Sequence, residues 1–177
     1  MSAPRWLNVE EDRAWRGWLA MSGMLRAQIA RDLQAECGLS DADFAVLVHL
    51  SEADGRRMRM TELASALGWS KSRVSHQCSR MAARGLVARE GCPTDARSSY
   101  AVLTECGCRE IALAAPRHVE SVRRHLVDLL DSEQLRALAG ITAKVTGHLS
   151  ALGGDAEDGA GEDDGGLPPC PTLGPPA

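Results

Sequence analysis

The chain has no apolar run near the roughly 20 residues that a membrane-spanning helix requires, which excludes an ordinary helical membrane protein. Residues 1–11 carry Arg5 with no apolar stretch behind it, unlike a secretory signal, so a cytoplasmic location is expected. No Ser-His-Asp set, Gly-rich phosphate loop or paired-carboxylate pattern stands out, so neither an enzyme nor a cofactor is expected. No internal repeat is found. Lys and Arg are missing altogether beyond Gly153, where Asp155, Glu157, Asp158, Glu162, Asp163 and Asp164 stand among Gly and Pro. That stretch, residues 153–177, reads as a disordered acidic tail, because it holds almost nothing to bury.

What is present is ordinary globular usage: 44% hydrophobic and 25% charged residues over 177 positions. That is enough for one domain with a core, and too little for two large ones. The net charge of −4 hides an uneven distribution. Setting aside the six tail acids leaves 20 basic against 18 acidic residues. Between residues 56 and 97 the excess is sharper. Arg56, Arg57, Arg59, Lys71, Arg73, Arg80, Arg84, Arg89 and Arg97 face only Glu62, Glu90 and Asp95. A local excess of this kind is the footprint expected of a surface that meets phosphates, although many solvated helical hairpins are equally charged.

Hydrophobic spacing organises the rest. Trp15, Trp18, Leu25, Ile29 and Leu33 recur at helical intervals and predict a long helix over about 10–37, stopped by Gly38. Ser40 and Asp43 form a capping box ahead of a helix carrying Phe44, Leu47 and Leu50. Asp54-Gly55 then makes a turn, and Met58 and Met60 alternate with Arg as in a very short strand. Thr61 is expected to cap a helix holding Leu63, Ala64 and Leu67. Gly68 breaks it, and Ser70 caps a second helix that runs to about residue 84. Residues 86–90 and 100–103 read as strands flanking the polar segment 91–99. Two short helices, a Gly-containing turn and a hairpin make a winged helix-turn-helix. Thr104 caps a further long helix with Ile111, Ala115, Val119, Val122, Leu126 and Leu129 on one seam, bent at Pro116. Ser132 caps a last helix carrying Leu135, Leu138, Ile141, Val145 and Leu149. Such long apolar seams exceed what one small core needs and predict pairing with a second chain.

On the second helix of the helix-turn-helix, about 100° per residue puts Val74, Cys78 and Met81 on one inward face. Ser72, Arg73, His76, Ser79 and Arg80 then point outward, with Gln77 at the margin. Such a face suits the major groove, where Arg pairs with guanine and Gln with adenine. In the expected wing, Asp95 stands two residues from Arg97 and can hold it extended toward a minor groove.

The segments Met60-Thr61-Glu62-Leu63-Ala64, Trp69-Ser70-Lys71-Ser72-Arg73-Val74-Ser75-His76-Gln77, Arg84-Gly85-Leu86-Val87 and Asp95-Ala96-Arg97, with Leu103-Thr104 followed by Gly107, together resemble the MarR family of bacterial regulators. The resemblance covers roughly residues 15–149. It implies a mainly α fold with a small β-wing, the winged helix at about 56–103 and dimerisation helices at about 10–37 and 104–152, within a domain spanning 1–152. It further implies a homodimer whose two winged helices bind a near-palindromic double-stranded DNA operator, most often as a repressor. A small-molecule effector would sit between the dimer helices and the winged helix. The DNA-binding residues expected on these grounds are Ser70, Lys71, Ser72, Arg73, His76, Gln77, Arg80, Asp95 and Arg97. Family wings often carry Gly between the Asp and the Arg; Ala96 and Ser98-Ser99 depart from that.

Six cysteines and five histidines raise a second reading, a thiol- or zinc-responsive regulator on the same scaffold. Cys78 falls on the inward face, and Cys106 and Cys108 diverge as i and i+2 on a helix, a poor chelate. His118 and His125, seven apart on one helix, lack an evident thiol or acidic partner for a closed zinc site. A third reading is a winged helix used only as a protein-interaction adaptor.

Overall fold

The structure, a computed structural model, describes residues 4–153 apart from 93–94, and the side chains of 92–98 lie outside the described residues. The acidic stretch expected to be disordered lies outside them from residue 154 onward.

Helix α1, Val9–Cys37, begins where Asn8 accepts hydrogen bonds from the backbone N–H groups of Glu10 and Glu11, while the Glu11 carboxylate accepts from that of Asn8. It ends at Gly38, whose φ of 66° is a left-handed cap conformation that costs glycine little. Only Leu33 of α1 is buried, so most of this helix keeps exposed surface within the chain. Helix α2, Asp41–Glu52, carries the expected Ser40–Asp43 capping box and is buried on almost every side, through Phe44, Val46, Leu47, Val48 and Leu50. A helix apolar all round belongs in the middle of a fold, and α2 is the post around which the winged helix is built.

Strand β1, Arg57–Arg59, leads directly into helix α3, Met60–Leu67, and then helix α4, Lys71–Ala83. Strands β2, Val87–Cys92, and β3, Asp95–Leu103, complete an antiparallel sheet of order β1-β3-β2. Arg57 pairs with Val102, and Val87 with Leu103. Helix α5, Glu105–His125, and helix α6, Ser132–Gly153, follow. Leu63, Leu67, Val74, Cys78, Met81, Leu86, Val87, Ala101, Leu103, Ile111 and Ala114 join the α2 residues in one continuous core. Each Val, Leu, Ile, Phe or Met side chain among them, fully buried, contributes about 1.5–3 kcal/mol.

Several ends differ from the sequence reading. The N-cap of α3 is Arg59, not Thr61: the Glu62 carboxylate accepts from the Arg59 N–H at 3.1 Å, which leaves Thr61 inside the first turn. The cap of α6 is Asp131 rather than Ser132, its carboxylate accepting from the backbone of Glu133 and Gln134. Helix α5 stops at His125; Leu126 leaves helical geometry, and Val127–Leu129 forms a separate short turn. The seam projected through Leu129 is therefore two segments. The strands reach further into 91–99 than expected, through Cys92 on one side and from Asp95 on the other.

No residue of α6 whose burial is described is buried, and Ile141, Val145 and Leu149 are more than half exposed, as is Trp15 on α1. Among the described residues no helix is long and apolar enough to cross a membrane.

Candidate nucleic-acid interface

Helix α4 is held at both ends and along one side. At its start, Ser70 Oγ accepts from the Arg73 N–H at 3.2 Å. The turn before it closes through Gly68, whose φ is 64°, and through the Trp69 N–H donating to the Ala64 carbonyl. Val74, Cys78 and Met81 have no exposed surface and pin the helix to α2 and α3. Burial pushes the Cys78 thiol up to about 11, so it stays protonated and inert as a nucleophile.

Ser70, Lys71, Ser72, Arg73, His76, Ser79 and Arg80 are exposed together on the opposite face. The helix carries no acidic residue, and its N-terminal end adds the partial positive charge of the peptide dipoles. The Arg73 guanidinium lies over the Trp69 ring, 4.4 Å from its centroid. That aromatic platform limits the rotamers of Arg73.

Gln77 requires a correction. It is buried, with 2% of its surface exposed. Its amide nitrogen donates to Asp43 Oδ1 at 2.7 Å, and its amide oxygen accepts from the Arg80 guanidinium. On the helical wheel it stands about 60° from Val74, at the margin of the inward arc, and the Asp43 carboxylate draws it inside. A marginal position leaves the face of a polar side chain open, and here the buried acceptor decides it.

Asp43 is the acceptor behind this arrangement. Its Oδ2 accepts from Ser40 N–H at 3.0 Å, Ser40 Oγ at 2.8 Å and Arg84 at 2.7 Å. Burial raises its pKa, but these hydrogen bonds and the Arg84 charge overcome that and hold it below the ordinary carboxylate value. Arg84 also donates to the Gly38 carbonyl and so fastens the end of α4 to the α1–α2 corner.

Other parts of the basic region are likewise spent within the protein. Arg56 donates to Cys108 Sγ at 3.0 Å. Arg57 and Arg59 stack on Tyr100 at 4.1 and 5.6 Å, and Arg57 pairs with Glu90 at 3.6 Å. Arg89 on β2 donates to Ser79 Oγ at 3.3 Å, joining the hairpin to the outward face of α4. Asp95 and Arg97 fall in β3, and their side chains are outside the described residues. Asp43, Trp69 and Tyr100 carry no sequence signal that marks them as parts of this surface, whereas Arg89 belongs to the basic excess. In the sequence Asp43 reads only as a capping residue, and Trp69 only within a motif.

A separate cleft of about 450 Å³ runs along α1 and the end of α5, lined by Met21, Met24, Leu25, Gln28, Arg31 and His125. Beside it, Asp32 accepts from Gln28, from Ser121 at 2.7 Å and pairs with His125 at 2.9 Å. His118 lies elsewhere, its ring 4.5 Å from that of Phe44 on α2. Burial lowers the pKa of both His118 and His49. No group of three or more metal-ligating side chains occurs among the described residues.

Residues 38–98, which span α2 to the hairpin, match the MarR family. The fold is similar to that of AbsC, a MarR family transcriptional regulator from Streptomyces coelicolor, at 46% identity and a TM-score of 0.77, covering 84% of this chain and 99% of that one. It is also similar to Sco3205, a MarR family transcriptional regulator from the same organism solved in complex with DNA, at 36% identity and a TM-score of 0.78, covering 93% and 98%. The organohalide-sensing regulator RdhR-CbdbA1625, solved with 2,4-dichlorophenol bound, shares the fold at 19% identity and a TM-score of 0.69, covering 82% and 86%. Among curated proteins none matches the sequence.

Proposed function

Because the chain belongs to the MarR family of transcriptional regulators, we propose that it acts as a homodimeric repressor on a near-palindromic operator, released by a small ligand. The observation that carries this is the outward face of α4, where Lys71, Ser72, Arg73, His76 and Arg80 are exposed together without an acid on the helix. Arg73 and Arg80 read base edges in the major groove, while Ser70, Lys71 and Ser72 meet the backbone near the helix N-terminus. The wing's Arg97 is the residue expected to meet the flanking minor groove.

The dimer joins α1, α5 and α6. Ile141, Val145 and Leu149 form a stripe that this chain leaves half exposed, and each would gain about 1 kcal/mol on burying what remains. The Met-lined cleft on α1 takes an apolar ligand with an anionic or hydrogen-bonding head directed at Arg31 or His125. Its occupancy would shift α5 against α1 and change the spacing of the two recognition helices.

Selection of bound duplexes from random DNA tests the reading. A two-fold motif with half-sites about 10 base pairs apart, or a multiple of that, is expected. Absence of any salt-dependent DNA binding would favour an adaptor instead.

A further inference from the structure

We propose that Asp43, a residue of α2 sealed behind the recognition helix, is a positioning residue for base reading and acts through Gln77 on Arg80. The proposal rests on the functional reading above and goes beyond it in naming what fixes Arg80.

The chemistry runs in one direction. Asp43 and Gln77 are 4% and 2% exposed, so neither touches DNA. An ionised carboxylate only accepts hydrogen bonds. Asp43 Oδ1 must therefore be met by the NH2 side of the Gln77 amide, as observed at 2.7 Å. Once the amide nitrogen is committed inward, its oxygen faces the surface and can only accept. Arg80, three residues along the same helix and exposed, supplies the donor. The other carboxylate oxygen, Oδ2, is filled by Ser40 and Arg84, so Asp43 cannot turn away from Gln77 without breaking those bonds.

The consequence is preorganisation. A free arginine on a helix surface samples many rotamers and loses that freedom when it docks on a base. Here the guanidinium is already drawn against Gln77, with its remaining N–H groups available to an acceptor. Asp43 also receives Arg84 and caps α2, so the orientation of Arg80 is tied to the seating of α4 on α2. A shift of α2 against α4 would change base discrimination before it changed the number of phosphate contacts.

The test uses the full-length protein, its selected operator and a scrambled duplex of equal length. Gln77→Met keeps the volume and the burial, leaves Asp43 with Ser40 and Arg84, and removes the acceptor for Arg80. It is expected to lose about tenfold in operator affinity while affinity for the scrambled duplex stays within about twofold. In an Arg80→Ala background the same change should cost nothing further, which a merely structural role for Gln77 would not produce. Asp43→Asn, which can present an N–H to Gln77 and invert its amide, should reproduce the loss. If Asp43→Asn unfolds, the Gln77 and Arg80 cycle still decides. Operator affinity unchanged in Gln77→Met, or losses that multiply in the double variant, would overturn the proposal. A wild type that does not distinguish operator from scrambled DNA would instead defeat the reading beneath it, and the proposal with it.

Discussion

Replacing Gly107 with Ala sets two effects of known size against each other. Gly107 lies in the first turn of α5, where its N–H donates to Thr104 Oγ1 at 3.0 Å. Helix propensity alone favours the change by up to about 1 kcal/mol. A Cβ there, however, would stand 2.1 Å from the Leu86 carbonyl oxygen and 2.7 Å from Leu103 Cδ1. Ordinary carbon–oxygen contact begins near 3.3 Å, so more than about 1 Å must be gained between two backbones. The carbonyl is not free to move: Leu86 is buried, its N–H donates to Met81, and its oxygen already accepts from Thr104 N–H and Oγ1. Overpacking of a rigid site costs about 1–3 kcal/mol, with the upper end apt for backbone against backbone. The net is a loss of about 2 kcal/mol, a fall in Tm of about 4–8 °C for a chain of this size. Circular dichroism melts at one fixed protein concentration measure it, since the proposed dimer would make Tm depend on concentration. A Tm unchanged or raised in Gly107→Ala would show that α5 is not seated on the α4–β2 turn as described.

Arg73→Ala should relax preference at one base position per half-site, costing about 1–3 kcal/mol. Arg97→Ala should instead weaken binding to all sequences and flatten the salt dependence. Random-site selection with affinities at several salt concentrations separates them, and a uniform loss in Arg73→Ala with preference intact would contradict the orientation of α4. Val145→Glu combined with Ile141→Glu puts charge on the exposed stripe of α6 and should give monomers by light scattering; a well-folded monomeric wild type would refute the dimer directly. His118 and His49 are held below their ordinary value of 6.5, chiefly by burial, with Asp41 and Glu52 opposing. The unfolded chain therefore takes up protons first, and stability should be full above about pH 6.5 and decline as pH falls from there toward the folded values. His118→Phe should remove part of that slope in denaturant titrations between pH 7 and 5; an equal slope in both proteins would refute the assignment.

What the sequence determined was local in origin. The Ser40–Asp43 box, the Ser70 and Thr104 caps and the Gly38 and Gly68 stops are set by residues within four positions of one another, and a linear reading finds such patterns. The inward placement of Val74, Cys78 and Met81 follows from helical period in the same way. Even the missed caps at Arg59 and Asp131 differ by one or two residues, because several neighbouring side chains could fill the same role. The charge excess over residues 56–97 was also visible, but not its division. Arg84 finds Asp43 across 41 positions of sequence, Arg56 finds Cys108 across 52, and Arg57 and Arg59 find Tyr100 across the β1–β3 pairing. Only the packing of α4 on α2 and of the hairpin on β1 decided which cations face solvent and which are tied within the fold. Gln77 shows the reason most directly: a polar residue reads as surface until a buried acceptor 34 positions away, Asp43, supplies the partner that makes its burial favourable.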